Sequence, residues 1–264
     1  MIRHPLWLTA SLGILAGALG GMMGVGGGTV LVPLLIHVMG ESQHEAQAIS
    51  LAFIIATAAV AVVPYLAAER LTFGLAAALA VGALPGVVLG ARTARRVSAL
   101  WLRRAFGVAV FATALRLLIA PPATLGPQVA WPWFADTGLG LIVGFLAGLL
   151  GLGGGTILVP VLVLAQRVPQ HVAQGISLLL IVPVGIAGVV THARAGTLPV
   201  RLLPGLLLGG AVGGMLGGLL AQRIAGPQLS RIFALFLLAI SFQMLLGRPH
   251  PRGPAEPSVS GGMS

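Results

Sequence analysis

The most constraining feature of this chain is a glycine-rich stretch that occurs twice inside apolar sequence. The first copy, residues 20–33, reads GGMMGVGGGTVLVP, and the second, residues 146–160, reads LAGLLGLGGGTILVP. Gly24 corresponds to Gly151, and Pro33 corresponds to Pro160. Both pairs are separated by the same number of residues, which is the offset of the repeat. Interrupted hydrophobic segments at corresponding positions of two halves indicate the binding site of a transporter. A simpler interpretation is that the glycines only allow helices to pack closely.

The composition places most of the chain in a lipid bilayer. Of its 264 residues, 57% are hydrophobic and 8% charged, and the mean hydropathy is +1.03. A soluble domain has about 25% charged residues. This length accommodates roughly eight membrane spans of ~20 residues and no further domain. The absence of cysteine excludes disulfides, thiolate metal sites and cysteine nucleophiles.

The repeat extends over nearly the whole chain at this constant offset. His44, Gln47 and Ser50 recur as His171, Gln174 and Ser177, and Arg104-x-Phe106 recurs as Arg231-x-Phe233. We therefore predict an all-α, polytopic transmembrane bundle of two homologous repeats, each with a glycine-broken re-entrant segment. The predicted divisions are an N-terminal repeat (1–120), a proline-rich linker (121–133), a C-terminal repeat (134–247) and a disordered tail (248–264).

The orientation of the two repeats follows from how residues 6–39 meet the membrane. A single crossing would make the repeats parallel, and a hairpin that returns at the glycines would make them inverted. Cytoplasmic loops collect arginine. The inverted arrangement places ten arginines inside and four outside, whereas the parallel arrangement gives eight and six. The arginines therefore favour inversion, and they also explain the net charge of +10 without nucleic-acid binding.

The glycine breaks predict an anion site. A helix that restarts within the membrane exposes unpaired N–H groups and the positive end of its dipole. Glycine lets the backbone approach a ligand, and threonine can cap the new helix or contact the ligand. The predicted substrate-binding residues from the breaks are Gly26, Gly27, Gly28, Thr29, Gly153, Gly154, Gly155 and Thr156. The polar residues that we add are Gln47, Ser50, Gln174 and Ser177, because buried polar groups in membranes tend to have a function.

Two histidines and four glycine ladders admit alternative interpretations. His44 and His171 either carry a coupled proton or cap a helix end at the interface. The ladders have the four-residue spacing of helix packing faces and also permit a homodimer. They are Gly13/Gly17/Gly21, Gly82/Gly86/Gly90, Gly140/Gly144/Gly148 and Gly205/Gly209/Gly213/Gly217.

Several other functions are excluded by missing residues. A phosphate-binding loop needs lysine after its last glycine, where this chain has Thr29 and Thr156. The five carboxylates fall in loops or at segment ends, so the buried relay of a cation pump is missing and an anionic substrate fits better. No metal site, cofactor site or catalytic constellation is evident, and we predict no enzymatic activity.

The paired pattern G-x-x-G-x-GGG-x-x-x-x-P, at residues 21–33 and 148–160, resembles the TauE/SafE family of membrane transporters. This family includes exporters of sulfite and organosulfonates. The resemblance implies an inner-membrane carrier of a small sulfur-containing or carboxylate anion. Two other classes stay open from the residues alone, an anion channel and a non-transporting membrane assembly protein.

Overall fold

The computed structural model describes residues 5–68, 71–93, 99–119, 128–150, 154–194 and 200–246. These residues form α-helices and no strand. The helices of the first half are α1 (Leu6–Met23), α2 (Gly28–Met39), α3 (Gln43–Ala67), α4 (Phe73–Thr93) and α5 (Ala99–Ile119). Those of the second half are α6 (Trp133–Leu150), α7 (Gly155–Ala165), α8 (Gln170–Arg194), α9 (Leu203–Arg223) and α10 (Gly226–Leu246), with a 3₁₀ turn (Val200–Leu202) before α9.

The helices recur with the offset of the sequence repeat. Helices α1 and α6 both have 18 residues, and they begin at the equivalent positions Leu6 and Trp133. Helices α3 and α8 both have 25 residues and begin at Gln43 and Gln170. The prediction of two homologous helical repeats is therefore confirmed, while the domain boundaries drawn from the sequence stay predictions.

Six helices of the described part are long and apolar enough to cross a membrane. Large apolar side chains also lie on the outside of the bundle. Trp101 and Leu208 are examples, and each is 70% exposed. Such a surface suits lipid rather than water. The chain is therefore a multi-pass membrane protein.

The glycine ladders pack helices of different halves together. Helix α1 lies along α9, and α6 lies along α4. A Cβ added at Gly17 would be 2.6 Å from the carbonyl oxygen of Gly210, so the two backbones are in direct contact. Gly144 likewise faces the backbone of Ala83. The predicted packing role is confirmed. Because the ladders are used within the chain, they give no support to the homodimer, which stays a prediction.

The contacts also give the helix directions. Gly13, Gly17 and Gly21 of α1 meet successively later residues of α9, so these helices run parallel. Helix α3 runs parallel to α9 too, because Phe53 meets Gly210 whereas Pro64 meets Gly218. Since α1 and α3 point the same way, α2 between them returns toward the level at which α1 began.

The equivalent helices of the two halves run in opposite directions. Gly175 of α8 contacts Tyr65, late in α3, whereas Gly185 contacts Ile55, earlier in α3. In α5, Gly107 faces Leu245 at the end of α10, whereas the later residue Phe111 contacts the earlier residue Phe242 edge to face, so these two helices are also antiparallel. These directions agree with an inverted repeat, whose orientation in a membrane stays a prediction.

Candidate functional site

The first glycine break is a buried, left-handed turn between α1 and α2. Gly24, Gly26 and Gly27 have φ angles of 72°, 73° and 82°. Residues with a side chain rarely adopt such positive φ angles. All residues from Met23 to Thr29 are buried. In the second break Gly154 has a φ of 79°, while Gly153 lies outside the described residues.

Both restarting helices begin without a side-chain cap. Gly27 and Gly154 occupy the N-cap positions of α2 and α7, and no side chain bonds to either helix start. The expectation that threonine caps the helix is therefore wrong, because Thr29 lies inside the first turn of α2. The first N–H groups of a helix have no carbonyl partner within that helix, and the positive end of the helix dipole lies beside them.

The two glycine breaks contact each other, next to the place where α3 and α8 pack together. A Cβ added at Gly155 would be 2.8 Å from Gly24 O and 2.8 Å from Val25 Cα. Gly26 lies between Ile54 of α3 and Ile181 of α8. The structure thus brings two predicted segments, which lie far apart in the sequence, into one place.

Both predicted serines and one of the two predicted glutamines contact this meeting point. A Cβ at Gly28 would be 2.6 Å from the hydroxyl oxygen of Ser50, and one at Gly155 would be 2.8 Å from that of Ser177. Gln174 packs against Gly24. Gln47 is half-buried one turn before Ser50 in α3.

Four buried polar side chains of the site each have an atom without a hydrogen-bond partner. The unpaired atoms are Thr29 Oγ1, Thr156 Oγ1, Gln174 Nε2 and Ser177 Oγ. Each of these side chains is at most 4% exposed. Buried hydroxyl and amide groups normally have partners. Hydroxyl and amide N–H groups are donors, so the set suits a ligand that accepts hydrogen bonds.

Tyr65 is a site residue that the sequence patterns did not indicate. Its buried hydroxyl donates to Gly21 O at 3.0 Å, at the end of α1, and lies 3.3 Å from Gln174 Oε1. It therefore links the first break to a glutamine of the second half. The only sequence signal was that this is the single tyrosine of the chain.

His171 lies at a helix end rather than in the meeting point of the breaks. Its Nε2 is 3.0 Å from Ala221 O and 3.1 Å from Ile224 O, at the C-terminus of α9. This is the geometry of a helix-capping contact. The side chain of His44 lies outside the described residues. A proton-coupling role for either histidine stays a prediction.

One carboxylate is more deeply buried than the sequence suggested. Asp136 is in the first turn of α6 and only 7% exposed, and Gln166 Nε2 donates to its Oδ1 at 2.6 Å. This pair joins the start of α6 to the end of α7, away from the starts of α2 and α7. Among the described residues, no group of three histidine or acidic side chains could hold a metal ion.

Comparison with known proteins decides the family. The family model "Sulfite exporter TauE/SafE" matches residues 1–117 and 137–263. The chain belongs to the TauE/SafE family. The predicted resemblance is thus confirmed over almost the whole sequence, and the chain is a membrane transporter of this family.

Curated relatives of this TauE/SafE transporter carry matching names. A "Probable membrane transporter protein" of Xylella fastidiosa (strain 9a5c) is 28% identical over 252 residues, which cover 93% of this chain and 97% of the relative. "Probable membrane transporter protein YunE" of Bacillus subtilis (strain 168) is 27% identical over 228 residues, 75% of this chain and 84% of the relative. No solved structure matches significantly.

Proposed function

We propose that this TauE/SafE transporter is a secondary carrier that exports a small anion through the cell inner membrane. The anion is sulfite, an organosulfonate or a related sulfur-containing or carboxylate anion. The observation that carries this proposal is the set of unpaired buried donors on Thr29, Thr156, Gln174 and Ser177 beside two uncapped helix starts. An oxyanion supplies the acceptors that these donors need.

The chemistry of the site supports an anion over a cation. Its side chains offer hydroxyl and amide donors, and the two helix starts add positive potential. Asp136, a buried carboxylate of the described residues, accepts a hydrogen bond from Gln166 at the far end of α7. A cation would need several converging oxygen ligands, such as carboxylates or unpaired carbonyls, whereas each oxygen of sulfite can accept from two or more donors. The hydroxyl and amide donors come from both halves of the chain, and they suit a small anion that accepts several hydrogen bonds.

The enclosed space at the second break supports a carrier that changes shape. A cavity of about 10 Å³ lies between Gly154, Gly155 and Ser177, which is room for about one water molecule. Sulfite is larger than this. Binding therefore requires the helices around this cavity to move apart, and a rocking motion of inverted halves about a central site is a common means of alternating access.

Counterflow in proteoliposomes tests the proposed function. Vesicles loaded with unlabelled sulfite should accumulate labelled sulfite transiently and in a saturable manner. Accumulation without saturation would indicate an anion channel instead. Absence of sulfite flux would move the search to sulfonates and small carboxylates, and absence of flux for all three, with correctly inserted protein, would refute the proposal.

A further inference from the structure

Equivalent residues of the two halves border the space beside each glycine break. The cavity at the second break lies between the start of α7 and helices α4 and α8, and Gly154, Ala83 and Leu180 are among the residues that line it. The equivalents of these residues in the first half are, in the same order, Gly27, Gly210 and Phe53. Two identical halves would therefore have a second cavity, at the first break.

The ring of Phe53 fills that place in the first half. Phe53 is fully buried. Its Cε1 atom lies 3.0 Å from a Cβ added at Gly27, and its Cε2 atom, on the opposite edge of the ring, faces Gly210 of α9. The ring thus extends from the first glycine break to α9.

Leu180 does not fill the equivalent place in the second half. No atom of Leu180 lies within 4 Å of a Cβ added at Gly154, whose nearest neighbour is the Cβ of Ala147 at 3.1 Å. A cavity of about 10 Å³ remains there. Phe53 and Leu180 are both buried at equivalent positions of α3 and α8, so the shorter side chain of leucine accounts for the empty space.

The helices beside the two breaks also pack differently. A Cβ added at Gly214 of α9 would be 2.8 Å from Thr57 O, and one added at Gly218 would be 2.7 Å from Ala61 O, so α9 and α3 touch through their backbones. Helix α4 is the equivalent of α9 and has a larger residue at each position of this face. These residues are Ala83, Val87 and Ala91, in place of Gly210, Gly214 and Gly218. Side chains there exclude the backbone contact that glycine allows.

The unpaired donors are concentrated in the same half as the cavity. Of the four donors named above, Thr156, Gln174 and Ser177 belong to the second half. The fourth, Thr29, belongs to the first. Ser177 is also one of the residues that line the cavity, together with Gly155 at the start of α7. The space that is left unfilled therefore lies beside most of the unpaired donors.

We propose that the anion binds beside the second glycine break, where movement of the surrounding helices enlarges this cavity, and that Phe53 excludes the anion from the equivalent place in the first half. Leu180 borders the bound anion, whereas Phe53 only fills space and touches no ligand. The inference rests on the proposed function, since it names the part of that site in which the anion lies.

Exchanging the sizes of the two residues tests the proposal. Leu180→Phe gives the second half the ring of the first, and Phe53→Leu is the reciprocal variant. Val184→Ile adds one methyl group to the wall of the cavity, which has room for about one water molecule. The probe is sulfite, and the measurement is the rise that it causes in the melting temperature of the purified chain in detergent. A ligand that binds the folded state alone produces such a rise.

The proposal predicts opposite results for the reciprocal variants. Phe53→Leu should melt at a lower temperature without sulfite, because it leaves a cavity, but sulfite should raise that temperature as much as in the wild type. Leu180→Phe should show no rise and no sulfite flux. Val184→Ile should melt no lower than the wild type without sulfite and should need several-fold more sulfite for half of the maximal rise. This smaller change decides the question if overpacking unfolds Leu180→Phe.

Three results would overturn the proposal. A full rise in folded Leu180→Phe, or an unchanged sulfite requirement in Val184→Ile, would show that the cavity is only a packing defect. Loss of the rise in folded Phe53→Leu would place the anion against the first half. Failure of the proposed function would appear separately, as absence of both the rise and the flux in the wild-type chain with sulfite, sulfonates and small carboxylates.

Discussion

The carbonyl oxygen of Gly24, in the first glycine break, lies against Gly155, the first residue of α7. A Cβ added at Gly155 would be 2.8 Å from that oxygen and equally close to the hydroxyl oxygen of Ser177. Any side chain there would push the two breaks apart. Glycine at this position therefore allows both halves of the chain to contribute to one site.

Replacement of Ser177 by alanine should weaken substrate binding without lowering the thermal stability of the protein. Burial of an unpaired hydroxyl costs about 1–3 kcal/mol, so Ser177→Ala should leave the melting temperature in detergent unchanged or raise it. The KM for sulfite flux should rise, because one donor to the anion is lost. Ser241 is the matched control, since it is equally buried but donates to Leu238 O at 2.7 Å. An unchanged KM in Ser177→Ala, or an equal rise in Ser241→Ala, would contradict the assignment.

Tyr65→Phe should destabilise the protein. The change removes a buried hydrogen bond to Gly21 O, and such bonds contribute roughly 0.5–1.5 kcal/mol. The measurement is thermal unfolding in detergent. Ser11→Ala is the control, because its hydroxyl bonds to Trp7 O on an exposed surface and its loss should have little effect. Equal melting temperatures for Tyr65→Phe and wild type would show that the tyrosine does not hold the first break.

The two histidine variants test proton coupling and capping together. His171→Ala removes the contact with Ala221 O and Ile224 O and should lower the melting temperature. If a histidine carries a coupled proton, then His44→Ala or His171→Ala loses the pH dependence of sulfite flux. An unchanged pH dependence in both variants would refute histidine coupling, and an unchanged melting temperature in His171→Ala would refute the capping contact.

The inverted orientation predicts opposite labelling of two equivalent loops. Ser42 precedes α3, and Pro169 precedes α8 at the corresponding position. Both residues are exposed, unlike the neighbouring Gln170, which is buried. Ser42→Cys and Pro169→Cys should react with an impermeant reagent from opposite sides of the membrane. Reaction from the same side would mean parallel repeats.

Periodicity and the repeat predict much of this fold from sequence alone. The constant offset between the two halves identifies helix pairs such as α1 and α6, because equivalent segments of a duplicated chain adopt the same structure. The spacing of Gly13, Gly17 and Gly21 predicts a packing face, because small residues at this interval let backbones meet. The left-handed turn at Gly26 and Gly27 follows from glycine being the residue that tolerates it.

The remainder depends on tertiary contacts that no local pattern contains. The partner of His171 is the carbonyl of Ala221, distant in sequence and at the end of another helix. Thr29 was expected either to cap α2 or to contact the ligand, but Gly27 occupies the cap position and the hydroxyl of Thr29 is unpaired. The different burial of Pro33 and Pro160 was unpredictable, because α2 and α7 have nearly the same sequence and their burial depends on which other helices cover them.

Sulfite flux by Gly155→Ala is the most direct test of a single anion site formed by both glycine breaks. Gly138→Ala is the matched control, because a Cβ at this helical glycine meets nothing within 4 Å. Both variants should insert, because alanine adds no polar group to a membrane helix, and the amount of protein recovered from the membrane checks this. We expect Gly155→Ala to lose flux while Gly138→Ala retains it. Normal flux in Gly155→Ala would contradict the claim that contact between the two breaks forms the site.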